Sequence, residues 1–220
     1  MSNELVPATA LVQSKFADDA SFKEVSTTSS FLPRIKHMQA SADEVKDPRI
    51  KAQMSHFYLI PQKDVYIDLT SEFICLPLSW RPKAMDMSDA KKIISVYNNK
   101  SAEFNRIKDR SEVKESKCVY GPEYLLWLPG EKSFATFFFS SKTARREAPN
   151  LKALLGKGAT VKSKYIKTPN YSWYGPEITI CSQQFELPDN DEMLTVANKF
   201  ANPPDDETEA APEGAEERDR

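Results

Sequence analysis

The sequence contains few of the residues that build disulfide frameworks or metal centres. Its 220 residues include two histidines, His37 and His56, and three cysteines, Cys75, Cys118 and Cys181. The cysteines are odd in number and far apart along the chain, a pattern that matches neither a disulfide scaffold nor a zinc site. We therefore expect reduced, buried thiols, no bound metal and no cofactor.

Long apolar stretches are also missing. The longest ones, residues 124–128 and 134–139, are much shorter than the ~20 apolar residues of a membrane-spanning helix. The N-terminal segment carries acids and lacks a basic stretch followed by an apolar one, so it does not match a secretory signal. These absences predict a cytoplasmic protein that does not associate with a membrane.

Charge is distributed unevenly along the chain, although the whole sequence carries a formal net charge of only −2. Residues 203–220 hold eight acids and two bases, a net charge of −6, while residues 1–202 hold 28 bases and 24 acids. The end segment has no aromatic or large aliphatic side chain to offset the entropy of ordering, so we predict a disordered acidic tail. Its acids are Asp205, Asp206, Glu207, Glu209, Glu213, Glu216, Glu217 and Asp219.

From residue 31 onward, short aromatic or β-branched runs alternate with turn residues, which is typical of strands in hairpins. Other segments repeat apolar residues at helical spacing behind an N-cap residue. Strands at hairpin spacing argue against a doubly wound nucleotide-binding fold. Strands are predicted over residues 56–60, 65–69, 73–80, 123–128, 133–139, 159–166 and 177–181, and helices over residues 88–97, 101–110, 144–155 and 189–200, the third of these interrupted near Pro149.

These elements predict an α+β protein with mainly antiparallel strands. We expect an OB-like small barrel with intervening helices, because such barrels combine short hairpin strands with inserted helices. One short sequence, Tyr-Gly-Pro-Glu, occurs twice, at residues 120–123 and 174–177. Because little around the two copies is alike, we interpret it as a turn that is used twice before a strand, rather than as a duplicated domain.

The strongest chemical signal is a basic stretch with aromatic residues in and beside it. Residues 142–167 contain eight bases and one acid, Glu147. Proteins that bind single-stranded nucleic acid need cations for the phosphates and flat side chains on which unstacked bases can lie. The predicted nucleic-acid-binding residues are Trp80, Arg81, Lys83, Lys142, Arg145, Arg146, Lys162, Lys164, Tyr165, Lys167, Tyr171, Trp173 and Tyr174.

Other interpretations of the same residues stay open. The lysines could form a solvated face over buried aromatic side chains, and the basic face could meet a protein partner. Enzyme signatures are incomplete: residues 156–160 lack the full glycine pattern of a phosphate loop, and the acids of residues 109–114 do not lie on a predicted strand. We therefore expect a non-catalytic protein.

A basic and aromatic β-rich body, the Pro203-Pro204 hinge and the acidic end together resemble bacteriophage single-stranded DNA-binding proteins of the OB-fold type. The resemblance is architectural and covers most of the chain. It implies a flexible N-terminal arm over residues 1–30, an OB-like nucleic-acid-binding domain over residues 31–202, and the tail over residues 203–220. Residues 80–84 and 141–148 also look like segments of uncharacterised phage proteins, which favours a viral source.

The resemblance implies binding of single-stranded DNA during phage replication or recombination, in the host bacterial cytoplasm. In that family the acidic tail occupies the protein's own binding groove and recruits replication partners, which implies the same roles for residues 203–220. This chain departs from the family at its end, because residues 217–220 lack a terminal aromatic or apolar residue. A structural or host-interaction phage protein is the alternative, and a homo-oligomer stays open.

Overall fold

The computed structural model describes residues 32–38, 55–62, 65–89, 92–169, 172–202 and 208–210. The predicted N-terminal arm and most of the acidic tail lie outside the described residues. Ten strands are present: β1 Arg34–His37, β2 Phe57–Gln62, β3 Val65–Asp68, β4 Glu72–Asp89, β5 Lys92–Val96, β6 Cys118–Leu128, β7 Ser133–Phe138, β8 Ala159–Lys167, β9 Ser172–Ile180 and β10 Thr208–Ala210. The helices are α1 Ala102–Ser111, α2 Lys142–Lys152 and α3 Asn190–Ala201.

The strands form one open sheet in which most neighbours are antiparallel. Its order is β10-β5-β4-β6-β7-β1-β2-β3, and the β8–β9 hairpin joins the sheet through β4. Within the described ranges no strand pairing connects β3 with β10, so the sheet is not closed into a barrel. The predicted α+β class with mainly antiparallel strands is confirmed, whereas the closure expected of an OB-like barrel is not found.

Strand β4 connects the two parts of the sheet. Its residues 72–75 pair with β8, and its residues 76–86 pair with β6. The pairing with β6 shifts register between Pro77 and Ser79. Such a shift changes which side chains point to each face of the sheet, and here it turns Trp80 away from the face that carries Leu76 and Leu78.

The helices cover the two faces of the sheet separately. On one face, α3 buries Met193 and Phe200 against Leu125 and Trp127 of β6. On the opposite face, α1 and α2 cover the alternate residues of the same strand, because successive side chains of a strand point to opposite sides. Buried residues on these helices are Phe104 and Ile107 of α1, and Ala144, Ala148 and Leu151 of α2.

Two predicted elements differ from the structure. The helix expected over residues 88–97 is wrong, since β4 runs on to Asp89 and pairs with β5. Its β-branched residues suit a strand, and so short an apolar run does not distinguish the two periodicities. The expected interruption at Pro149 is also absent, because α2 continues through this residue to Leu151, which is fully buried.

The two Tyr-Gly-Pro-Glu segments are not turns. Residues 120–123 lie inside β6 and residues 174–177 inside β9. Each glycine allows another part of the chain to approach closely. A Cβ atom at Gly121 would lie 2.1 Å from the backbone oxygen of Phe139, and one at Gly175 would lie 2.7 Å from a side-chain carbon of Thr143.

The described part of the acidic tail is a strand. Residues Thr208–Ala210 pair with β5 as β10, with Thr208 opposite Ile94. Residues 203–207 and 211–220 are outside the described ranges, so the predicted disorder of the tail stays a prediction there. The sheet thus includes a short piece of a segment that composition alone assigned to disorder.

A buried group of charges ties the sheet to α3. Glu123 accepts hydrogen bonds from Arg81 Nε at 2.8 Å and from Lys83 Nζ at 2.9 Å. Arg81 also donates to the backbone oxygen of Phe200, and its guanidinium lies 3.8 Å from the centroid of the Tyr97 ring. Because Phe200 lies in the last turn of α3, the cation also complements the negative end of that helix.

Removing the carboxylate of this group leaves two cations without a partner in a buried place. We expect Glu123→Gln to lower the free energy of unfolding by about 3–5 kcal/mol, as measured by denaturant titration. The matched control is Glu177→Gln, which removes the exposed partner of Lys164 and costs less than about 1 kcal/mol. Equal losses in the two variants would contradict the assignment of Glu123 as a buried charge partner.

The same group makes stability depend on pH. Burial by itself raises the pKa of Glu123, but Lys83 and Arg81 outweigh burial and hold this pKa below its ordinary value of 4.5. A depressed pKa in the folded state adds stability that is complete above pH 4.5 and decreases as the pH falls below it. We therefore expect the stability difference between the wild type and Glu123→Gln to shrink in acid, and an unchanged difference would contradict this account.

Candidate functional site

A groove of about 610 Å³ lies on the sheet face that carries α1 and α2. Its floor is formed by β4 and β6, and the two helices form its walls. Trp80 and Tyr120 are the aromatic residues on the floor beside the basic walls, and Lys108, Arg145 and Lys152 supply the cations. We call this feature the groove.

Strand alternation explains which floor residues face the groove. Trp80 and Pro82 are two apart on β4, and Tyr120 and Tyr124 are in step with them on β6, with Trp80 opposite Tyr124. Residues that lie opposite each other in an antiparallel pair share one face. The intervening residue Arg81 therefore points to the α3 side.

Helix α2 presents its bases to the groove at a helical interval. Arg145 and Lys152 are seven residues apart, which is close to two turns and places both on one face. Ser141 caps the helix by accepting a hydrogen bond from the backbone nitrogen of Ala144. The groove wall is therefore a direct consequence of where this helix begins.

Tyr124 fixes α2 against the floor. Its hydroxyl donates to the backbone oxygen of Ala148 at 2.7 Å, and burial raises the pKa of Tyr124 to about 12. The phenol therefore stays protonated and remains a donor at any physiological pH. Because Ala148 lies between Arg145 and Lys152 on the helix, this bond holds both bases near the floor.

Arg145 is held rigidly. Its Nη1 atom donates to the backbone oxygens of Tyr120 at 3.1 Å and Ser140 at 2.6 Å, and its guanidinium lies 4.3 Å from the centroid of the Tyr120 ring. An exposed carboxylate, Glu112, lies 3.7 Å from Nη2 at the margin of the groove. One face of Tyr120 is thus covered by a fixed cation.

Lys152 covers Trp80 in a looser way. Its Nζ atom lies 4.1 Å from the centroid of the Trp80 ring, and the ring is 37% exposed. A lysine ammonium at the end of four flexible bonds can leave such a position without breaking a fixed hydrogen bond. Lys108 lies 5.6 Å from the Tyr120 ring on the opposite wall. Among the described residues that line the groove, none is acidic.

The structure brings only two of the sequence-predicted residues, Trp80 and Arg145, into the groove. Three further groove residues, Lys108, Tyr120 and Lys152, were not among those selected from the sequence. Lys152 lies in the basic stretch, and its seven-residue distance from Arg145 was a usable signal. Lys108 and Tyr120 reach the groove through the packing of α1 on β6, which no local pattern reveals.

Arg81 and Lys83 do not lie in the predicted interface. Both are on the opposite face of β4, where they bond with Glu123, and Lys83 is only 4% exposed. The prediction treated residues 80–83 as one aromatic and basic group. Strand alternation divides them, because neighbouring residues of a strand face opposite sides of a sheet.

The other predicted bases lie outside the groove. Lys142 and Arg146 are on the exposed side of α2. Lys162 and Lys164 project from β8 and form ion pairs with Glu72 and Glu177 respectively, all four being surface side chains. Surface ion pairs of this kind contribute little to stability and exchange easily with other partners.

The predicted aromatic residues at the end of the chain belong to the β8–β9 hairpin. Trp173 is half-buried, and its Nε1 donates to the hydroxyl of Thr143 on α2 at 3.0 Å. Tyr165 and Tyr174 lie opposite each other with ring centroids 5.3 Å apart. Tyr171 lies outside the described residues. The hairpin rings are therefore separate from the groove.

The comparisons add no relative to this geometry: no family model, no curated protein and no solved structure matches the chain. In the described residues, no three His, Cys, Asp or Glu side chains are grouped so that they could hold a metal ion. The helices of the described chain are too short or too polar to cross a membrane. The chemistry of the site is therefore argued from the groove itself.

The groove model requires that Trp80 is displayed for a ligand rather than used to hold the fold. We expect Trp80→Ala to change the free energy of unfolding by at most about 1 kcal/mol, because the ring is partly exposed. Trp127 is the matched control, since it is buried against Phe134 and donates to the backbone oxygen of Glu186. Trp127→Ala should cost about 3–5 kcal/mol. Equal losses by denaturant titration would show that the Trp80 ring is structural.

Proposed function

We propose that this chain is a non-catalytic protein that binds single-stranded DNA in the groove between α1 and α2. The observation that supports it most is the pairing of an exposed ring, Trp80, and a second ring, Tyr120, with three groove cations and no groove acid. Single strands need this combination, because cations meet the phosphates and flat rings stack on unstacked bases. In a duplex the base faces are already stacked, so the rings favour a single strand.

Binding proceeds by exchange at Trp80. In the free protein Lys152 covers the ring, a contact worth about 0.5–1 kcal/mol at an exposed site. A base stacked on an aromatic ring contributes about 1–3 kcal/mol. The base therefore displaces the ammonium, which becomes free to meet an adjacent phosphate. Both partners gain from the exchange, which is why an occupied ring in the free protein does not oppose binding.

Arg145 has a different part in the same site. Its hydrogen bonds to two backbone oxygens keep it in place, so it offers a fixed positive charge beside Tyr120. A fixed charge and a mobile one on the same wall let the strand adjust to different bases. Stacking and phosphate contacts do not read base edges, so binding is tolerant of sequence. The resemblance to phage single-stranded DNA-binding proteins supports a role in phage replication or recombination.

Salt dependence tests the phosphate contacts. Each phosphate contact on a single strand contributes about −0.7 to the slope of log K against log salt concentration, so three groove cations give a slope near −2. We expect Lys152→Ala to reduce the magnitude of this slope by about 0.7, measured by fluorescence anisotropy with a labelled oligonucleotide. Trp80→Ala should weaken binding by about 1–3 kcal/mol whatever the base sequence.

The matched control for charge is Lys199→Ala. Lys199 is exposed on α3, which covers the opposite face of the sheet, so its removal changes net charge equally without touching the groove. The salt slope of this variant should equal that of the wild type. A slope near zero for the wild type, or equal slopes for the Lys152 and Lys199 variants, would overturn the proposed function.

The acidic tail is placed to compete with DNA. Strand β10 is antiparallel to β5, with Thr208 opposite Ile94, and β5 leads directly to Asn99 at the groove. The acids of residues 205–207 precede the end of β10 that is nearer to Asn99. A tethered acidic segment acts as an intramolecular ligand at high effective concentration, and salt screens its attraction to the groove bases.

Ending the chain at Asn202 should therefore tighten single-strand binding several-fold, most strongly at low salt. Two full-length variants locate the effect: Asp205→Asn with Asp206→Asn and Glu207→Gln, against Glu216→Gln with Glu217→Gln and Asp219→Asn. Both remove three charges, and we expect the first set to tighten binding more. Unchanged affinity after truncation, at low and moderate salt, would remove the competition from this account.

A further inference from the structure

The two Tyr-Gly-Pro-Glu segments are equivalent in three dimensions as well as in sequence. In the sheet, residues 120–123 pair with residues 81–84 of β4. In the hairpin, residues 174–177 pair with residues 162–165 of β8, in the same antiparallel register. Both glycines lie opposite a lysine and both glutamates lie opposite a base. The sequence match is thus part of a repeated pair of strands.

The charges are arranged alike in the two copies. Each glutamate accepts a hydrogen bond from the lysine that lies two residues beyond its opposite base, Glu123 from Lys83 and Glu177 from Lys164. The first copy is buried under α3, whereas the side chain of Glu177 is 37% exposed. The same local design therefore serves once inside the fold and once at its surface.

Helix α2 lies between the two copies. A Cβ atom at Gly121 would lie 3.3 Å from the Cγ of Arg145, and one at Gly175 would lie 2.7 Å from the Cγ2 of Thr143. Thr143 and Arg145 are both in the first turns of α2. The helix thus contacts the glycine of each copy, and its exposed bases Lys142 and Arg146 lie between the groove and the hairpin.

The tyrosines of the two copies differ only in what surrounds them. Tyr120 of the first copy lies in the groove beside its cations. In the second copy Tyr174 contacts Tyr165, which is 46% exposed. Alternation along β8 places Lys167, also exposed, on the same face as Tyr165. No acid of the described β8 and β9 residues lies on this face.

We infer that Tyr165, Tyr174 and Lys167 form a second station for the same single strand, which we call the hairpin station. This inference rests on the proposed function and extends it. The rings offer a stacking surface and Lys167 offers a phosphate contact, as in the groove. Because α2 and the hairpin separate the two stations, a strand that reaches both crosses the bases Lys142 and Arg146. Only a strand longer than one that fills the groove can do so.

Oligonucleotide length therefore distinguishes the two stations. Full-length protein is titrated with oligothymidylates of about 4 and about 16 nucleotides, which bracket the site sizes of single-strand binding folds. We expect Tyr165→Ala to weaken binding of the longer strand at least about fivefold, the loss of one stacked base, and to leave the shorter strand unaffected. Tyr165→Phe keeps the ring and should bind the longer strand like the wild type.

Tyr66→Ala is the matched control, because Tyr66 is also an exposed tyrosine but lies on β3 at the far edge of the sheet. This variant should bind both strands normally. If Tyr165→Ala and Tyr66→Ala have the same affinity for the longer strand, the hairpin station is overturned while the groove stands. If the wild type binds neither strand, the proposed function fails and the hairpin station fails with it.

Discussion

The register shift in β4 between Pro77 and Ser79 is the constraint on which the site depends. Before the shift, Leu76 and Leu78 face α3 and complete the core on that side. After it, Trp80 faces the groove, and its neighbour Arg81 faces α3. One extra residue thus assigns an aromatic ring to the surface and a cation to the interior. Without the shift the groove would lose its exposed ring and the ion group around Glu123 would lose a member.

Helix α2 makes the second decision. It is held to the floor by the hydrogen bond from Tyr124 to the oxygen of Ala148, and it approaches β6 and β9 because Gly121 and Gly175 have no side chain. Its groove side carries Arg145, and its opposite side contacts the hairpin. A single helix therefore aligns two surfaces of similar chemistry, and this gives the long strand a continuous set of cations to follow.

Sequence reasoning predicted the chemistry of the site better than its position. Arg145 and Trp80 were selected correctly, since a basic stretch and an isolated exposed ring are local features. Lys83 was misassigned because its partner, Glu123, is forty residues away, and only strand pairing brings them together. Tyr120 was missed for the same reason: its role follows from the helix above it. The α+β class followed from periodicity, whereas sheet closure depends on long-range pairing that periodicity does not encode.

The central claim is that bases stack in the groove. It is tested most directly by irradiating the full-length protein with a single-stranded oligonucleotide that carries 5-bromouracil, and by locating the crosslinked residues with mass spectrometry. Stacking in the groove predicts adducts at Trp80 and Tyr120, which are lost when unlabelled single strand competes and kept when duplex competes. Efficient crosslinking with adducts only on α3 or on the β2–β3 edge, and none in the groove, would contradict the account.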